Sequence, residues 1–192
     1  MGTTVHLAPE GLDLKTVALT IVGDSILVTH AWSEKAKQQM RDKQAMKGKQ
    51  AKEAKDPEAD YQGAFYRLPD NTPGFPAIGI KASAVRGAKA LGMTMTDVRA
   101  AFHINADLLP IVSDKPVMRE DMVRVGQGTA DLRYRPEFNN WSITLPITYN
   151  ARAISAEQIV AMLDAGGFGT GIGEWRPEKD GQWGRFHVES AA

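Results

Sequence analysis

The sequence predicts an α+β chain with a ferredoxin-like (RRM-like) β-α-β-β-α-β core, a long helical insertion after the first strand and an arginine-rich β-ribbon. Three observations predict it. KTVALTIV (15–22) and WSITLPITY (141–149) alternate apolar and polar residues at the period of a strand. ISAEQIVAML (154–163) carries the start signals of a helix with an apolar inner stripe. GRFHV (184–188) then reads as a short closing strand after a glycine-dense loop.

The 192 residues fit a single domain over 1–192. Within it, 33–101 reads as the helical insertion and 114–136 as the arginine-rich arm or ribbon. Lysine plus arginine equals aspartate plus glutamate at 23 each, so any argument for a polyanionic partner must come from local patches. The absence of cysteine excludes disulfides, thiolate metal sites and a cysteine nucleophile. The N-terminus lacks a basic region followed by an apolar run, and no apolar run approaches the roughly 20 residues that span a bilayer. The expectation is a cytoplasmic protein with no membrane partner.

In the first strand, Val17, Leu19 and Ile21 share one face, and the strand stops at Gly23-Asp24. Residues 1–10 read as a loose arm. Ser33 can cap a helix that runs towards Lys55. Large apolar residues are scarce there, essentially Met40 and Met46, while Lys35, Lys37, Arg41, Lys43, Lys47 and Lys49 recur. Such a helix is weakly held by packing. It is either a solvated excursion or a basic arm that orders on a partner. Asp56-Pro57 starts a further short helix with Tyr61, Phe65 and Leu68 on its inner side. LPDNTPGFP is a turn, Ala77 to Ile80 a short strand, and Ser83 to Leu91 a helix of small residues ending at Gly92. An alternating strand follows around His103 to Ile111.

From 116 to 135 the pattern changes. Arg119, Arg124, Arg133 and Arg135 interleave with Met118, Met122, Val123 and Val125. These arginines either pair with Glu120, Asp121 and Asp131 or line a groove. Exposed pairs add little stability, which favours the groove. In the next strand Trp141, Ile143, Leu145, Ile147 and Tyr149 share a face, and Pro146, lacking a ladder donor, implies an edge or a bulge. Ser155 with Gln158 forms a capping box, Ile154 with Ile159 a hydrophobic staple, and Gly166 stands where a C-terminal cap belongs.

The glycine-dense stretch 166–188 holds Gly169, Gly171 and Gly173 beside Trp175, Arg176 and Arg185. Glycines allow close backbone approach, and rings with guanidiniums suit a nucleic acid. The same glycines equally suit a turn that packs on its own sheet. GxGxG preceded by a helix is not a dinucleotide fingerprint, which needs a strand before it. The four histidines, at 6, 30, 103 and 187, lack metal spacing. No cofactor and no metal are expected.

KTVALTIV, WSITLPITYNARAISAEQIVAMLDAGGFGTGIG and GRFHV together resemble the repeat-associated (RAMP) superfamily, the RNA-binding backbone and processing proteins of CRISPR systems. HAWSEKAKQQM and MREDMVRVGQGTADLRYRPEF are similar to phage and prophage proteins. The resemblance implies nucleic-acid binding along the sheet and glycine-rich loop, with head-to-tail assembly on a strand. Neutral charge and small size depart from the family, so a phage-encoded relative in the host cytoplasm is expected rather than a member of a CRISPR complex. Processing members use a histidine as general acid or base, and His30 is the counterpart here.

The leading expectation is therefore a homo-oligomeric binder of single-stranded RNA or DNA, gripping phosphates through the basic residues of 35–49, the ribbon arginines and the glycine-rich loop. One alternative is a phage protein-interaction or assembly module, an inhibitor or structural subunit, without nucleic acid. A second is a metal-independent ribonuclease using His30.

Overall fold

Two strands far apart in sequence form the backbone of the fold: residues 14–22 and 142–150 pair antiparallel in unbroken register, from Leu14 opposite Asn150 to Val22 opposite Ser142. The computed structural model describes residues 11–32, 34–45, 55–125 and 128–189. In chain order the elements are β1 (Leu14–Gly23), β2 (Leu27–Val28), α1 (Glu34–Gln44), α2 (Pro57–Gly63), β3 (Tyr66–Arg67), β4 (Pro73–Pro76), α3 (Ala77–Ala90) and α4 (Met95–Ala101). They continue with β5 (Phe102–Ile104), β6 (Leu108–Pro110), β7 (Val117–Val125), β8 (Thr129–Phe138), β9 (Ser142–Asn150), α5 (Ala156–Gly169) and β10 (Phe186–Val188). The residues expected to form the N-terminal arm, the Ser33 cap and the end of the basic helix beyond residue 45 lie outside the described ones.

The main sheet has the order β10-β1-β9-β5, and its pairs are antiparallel. The register sets Ile21, Leu19 and Val17 opposite Ile143, Leu145 and Ile147, which makes one face apolar. Helices α3 and α5 cover that face with Ile80, Ala84, Val85, Ile159, Met162 and Leu163, all buried. A β2-β8-β7 sheet and a β3-β4-β6 sheet complete the structure. The result is an α+β fold with antiparallel sheets. Among the described residues, no helix is long and apolar enough to cross a membrane.

α5 starts as its sequence dictates. The Gln158 amide donates to Ser155 Oγ at 3.2 Å, and the Ser155 amide donates to Gln158 Oε1 at 2.9 Å. It does not end at Gly166. The helix runs on to Gly169, and Thr170 caps it. Gly166 serves packing instead: a Cβ there would strike the Ser83 carbonyl, and one on Gly87 would strike that of Met162. The two helices thus touch backbone to backbone, which larger side chains would prevent.

Other expectations are corrected by context. Ala77–Ile80 is the first turn of α3, and the short strand lies just before it at Pro73–Pro76, inside the expected turn. A period of two over four residues cannot be told from a helical turn, and the buried set Ala77, Ile80 and Ala84 follows the helical period. The single strand around His103–Ile111 is two short ones, β5 and β6, in different sheets. Within 33–101, α3 is a core helix, whereas α1, α2, β3 and β4 lie off the main sheet. β9 is an inner strand despite Pro146. The proline carbonyl accepts from the Asn105 amide, so its nitrogen also faces the β5 side, just past the last β5 residue.

On the sheet face away from the helices, β1 and β9 present Thr16, Ala18, Thr20, Thr144, Pro146 and Thr148, with a 3.2 Å contact between the Thr20 and Thr144 hydroxyls. The outward positions of this sheet carry no Phe, Tyr or Trp, so it lacks the stacking rings that RNA-recognition sheets display.

The helix contact is directly testable. Gly87→Ala should lower stability by roughly 1–3 kcal/mol through overpacking, read from the urea midpoint. Gly169→Ala, with open space around the new methyl, should leave the midpoint unchanged or raise it.

Candidate nucleic-acid interface

The β7–β8 ribbon pairs in continuous register from Val117 opposite Glu137 to Val125 opposite Thr129. Alternation along it puts Arg119, Asp121, Asp131, Arg133 and Arg135 on one face. Arg124 falls on the other, with Met118, Met122 and Leu132. The first face is a charge network. Arg119 Nε donates to Asp121 and its Nη1 to Glu137, each at 2.8 Å. Arg135 donates to Asp121 at 3.0 Å and to Glu174 at 3.1 Å. Arg133 lies 3.0 Å from Asp131, which also pairs with Lys55.

Arg135 is 2% exposed, so it does not line a groove as expected. It anchors the ribbon to the glycine-rich loop, and its Nε finds no partner among the described residues. Arg119 is also engaged, stacked 4.2 Å over the Trp183 ring. The small worth of exposed ion pairs is the wrong guide for Arg135 and Arg119, because Arg135 and the carboxylates of Asp121 and Glu137 are withdrawn from water, at 2%, 13% and 17% exposed. Arg133 is half-exposed and Arg124 exposed, but on opposite faces, so the ribbon does not bring its arginines to one groove.

The glycine-rich loop is tied to its own chain. Gly171, Gly173 and Gly184 take left-handed φ values of 67°, 77° and 64°. A Cβ on Gly173 would stand 2.6 Å from the Val28 carbonyl oxygen, and one on Gly171 2.7 Å from Pro177. The Ile172 amide donates to Gly184, and the Glu174 amide to Val28. Gly171 and Gly173 therefore serve internal approach, the packing reading of the motif. Gly169 is exposed at the end of α5. Trp175 has a left-handed φ of 48° and is 46% exposed, with its ring edge-on to Trp183 at 6.4 Å. Arg185 turns back on the loop and donates to the Gln182 carbonyl at 3.2 Å.

Between this loop and α3 lies a cleft of about 310 Å³. Thr29, His30, Tyr66, Phe75 and Ser83 line it, together with Arg86, Glu174 and Arg176. His30 follows β2, which pairs with β8. Its Nδ1 lies 3.9 Å from Glu174. Burial holds the imidazole below its ordinary pKa. Glu174 and Asp60 oppose the shift, and Arg135 and Arg133 add to it. Arg86 and Arg176 converge on Glu178, at 2.7 and 2.8 Å. Two guanidiniums sharing one carboxylate leave one positive charge in that trio.

A second cleft, of about 490 Å³, is lined by Trp32, Lys37, Phe65, Tyr66 and Arg67 among others. Tyr66 borders both clefts, and the chain from Thr29 to Trp32 runs along both. Trp32 is 59% exposed, and the Arg67 guanidinium stacks 4.3 Å over Phe65.

Of the expected site residues, His30, Gly171, Gly173 and Arg176 meet at the first cleft and Lys37 at the second. Arg41 is exposed on α1. The side chains of Lys35 and Lys43, and the whole of Lys47 and Lys49, lie outside the described residues. Trp32, Tyr66, Arg67, Ser83 and Arg86 were not singled out as site residues. The adjacent Tyr66-Arg67 pair was the available signal, a ring beside a cation just before a turn. Among the described residues, no group of three or more His, Cys, Asp or Glu is placed to hold a metal ion.

No family model and no curated protein matches the sequence. Among solved structures, Cmr6 from Pyrococcus furiosus is similar, with a TM-score of 0.50 and 9% identity, covering 93% of this chain and 100% of that one. At that identity the likeness is one of fold, an α+β architecture similar to that of Cmr6.

Three substitutions check the electrostatics. Arg135→Met should cost roughly 2 kcal/mol in urea unfolding, below the 3–5 typical of a broken buried pair because Glu174 is partly exposed. Arg133→Met should change stability by under about 1 kcal/mol. His30 has its folded pKa depressed, so the unfolded chain binds the extra proton first as pH falls below about 6.5. Its contribution to stability is thus full above that value and is lost as pH falls towards the folded pKa. Urea midpoints of His30→Gln measured between about pH 7 and pH 5 should fall less steeply than those of the unaltered protein.

Proposed function

We propose that this protein binds single-stranded nucleic acid along the two clefts that meet at Tyr66. The observation that carries the reading is their shared lining: an exposed Trp32 and a stacked Arg67 on one side of Tyr66, and Arg86 with Arg176 on the other. Exposed rings beside guanidiniums stack bases of any sequence, while cations follow the phosphates. Lys37 and Arg41 on α1 extend the basic side. In this reading β1, α3, β5, β9, α5 and β10 are the ferredoxin-like core, with their sheet order standing as 4-1-3-2. The strand runs beside that core rather than across its threonine-lined face. A phage-encoded bearer of the fold belongs to this reading and rests on the resemblance of residues 30–40 and 118–138 to phage proteins.

A second reading, a protein-interaction or assembly module, is favoured by one observation. Met118, Met122 and Leu132 share the outer face of the ribbon and are 42%, 66% and 40% exposed. Apolar side chains gathered on one exposed face suit a protein partner, a second copy included.

Binding of labelled single-stranded RNA, single-stranded DNA and duplex at about 50 and about 200 mM salt decides between them. The nucleic-acid reading expects a single strand to bind and to weaken at least tenfold at the higher salt. Trp32→Ala should then cost about 1–3 kcal/mol of binding without altering the fold. Absence of binding at low salt, or full affinity in Trp32→Ala, would refute it. Incubating the same RNA with the unaltered protein and with His30→Ala tests for cleavage.

A further inference from the structure

Ser83 on α3 lines the cleft, 1% exposed, and its hydroxyl finds no hydrogen-bond partner among the described residues. A buried hydroxyl without a partner costs free energy, and native structures seldom keep one without a use. The nearby apolar lining is aromatic: Tyr66 and Phe75 stand edge to face with their centroids 6.4 Å apart. Gly79 keeps the first turn of α3 low, since a Cβ there would come within 2.9 Å of the Phe75 ring. Arg86 and Arg176 share the Glu178 carboxylate, which is not itself in the lining, and Glu174, the acid of the lining, pairs with the buried Arg135, which also serves Asp121.

A space of about 310 Å³ is at the lower end of small-ligand pockets and is too small for a duplex. Rings, one unused hydroxyl and a single net positive charge on the Arg86–Arg176–Glu178 trio together match a flat heterocycle that carries one phosphate. We propose that this cleft holds a single unstacked nucleotide, with its base against Tyr66 and Phe75, a base edge on the Ser83 hydroxyl and its phosphate at Arg86 and Arg176. The inference rests on the nucleic-acid reading and adds base preference at one position to an otherwise sequence-tolerant grip. Such a nucleotide can arrive free or as part of a strand, and both share this chemistry.

The test titrates the full chain with the four 5′-nucleoside monophosphates and with ribose 5-phosphate, and in parallel with single-stranded oligonucleotides of one base each. One monophosphate should bind at least tenfold tighter than ribose 5-phosphate, and the oligonucleotide of that base should be preferred. Ser83→Ala should keep or raise the urea midpoint, because it removes a buried hydroxyl that has no partner among the described residues, yet reduce the preference at least threefold. Ala82→Phe, which fills the lining beside Ser83, should abolish monophosphate binding while oligonucleotides still bind with salt sensitivity. Binding of oligonucleotides with no base preference, or an undiminished preference in Ser83→Ala, overturns the nucleotide site and leaves the broader reading standing. Failure of every oligonucleotide to bind overturns both.

Discussion

The backbone contact between α3 and α5 is the constraint that the rest of the molecule obeys. Gly87 and Gly166 remove the side chains that would hold these helices apart. Gly167 does the same towards β10, where a Cβ would meet the Phe186 carbonyl. With α5 pressed against α3 on one side and the last strand on the other, the chain leaves the helix beside Ser83 and Arg86. The loop 170–184 must then turn back at once to reach β1. That return path and the exposed side of α3 bound the smaller cleft. The smaller cleft is thus a by-product of close helix packing, and Gly87, Gly166 and Gly167, which permit that packing, do not line it.

A second constraint is charge burial. The chain is neutral overall, and much of its ribbon charge is spent internally. Arg119, Arg135, Asp121, Glu137 and Glu174 tie the ribbon to the glycine-rich loop, with Arg119 lying on Trp183. Replacing such a network by apolar groups need not destabilise a protein, but its geometry fixes the alignment of the parts it joins. Here the aligned parts are the two halves of the lining: His30 follows the strand that pairs with β8, and Glu174 lies in the loop.

How much was legible in the sequence follows from these two constraints. β1, β9, α5 and the ribbon were readable because each states its own periodicity or cap within a few residues. Glycine was not. Gly166, Gly171 and Gly173 mark close approach, but composition does not tell approach to a ligand from approach to one's own backbone. The arginines misled similarly. Arg119 and Asp121 on one strand, and Asp131, Arg133 and Arg135 on the other, stand two residues apart and so share a face, yet Arg135 on that face is tied to Glu174, far along the chain. Tyr66, Ser83 and Arg86 could not be joined to His30 and Arg176 from sequence, because three separate sheets bring them together. Pro146 was read correctly as chemistry and wrongly as position, since its strand is internal and only its neighbour is short.

That shortness has a wider consequence. β5 and β10, the outermost strands of the main sheet, are three residues each, while the long inner pair is hydrogen-bonded along its length. Because β10 pairs only with Ile21–Gly23 of β1, residues 14–19 have no strand on their outer side among the described residues and form an open edge that a further strand could extend, whereas on the other side Pro146 withholds a donor where β5 stops.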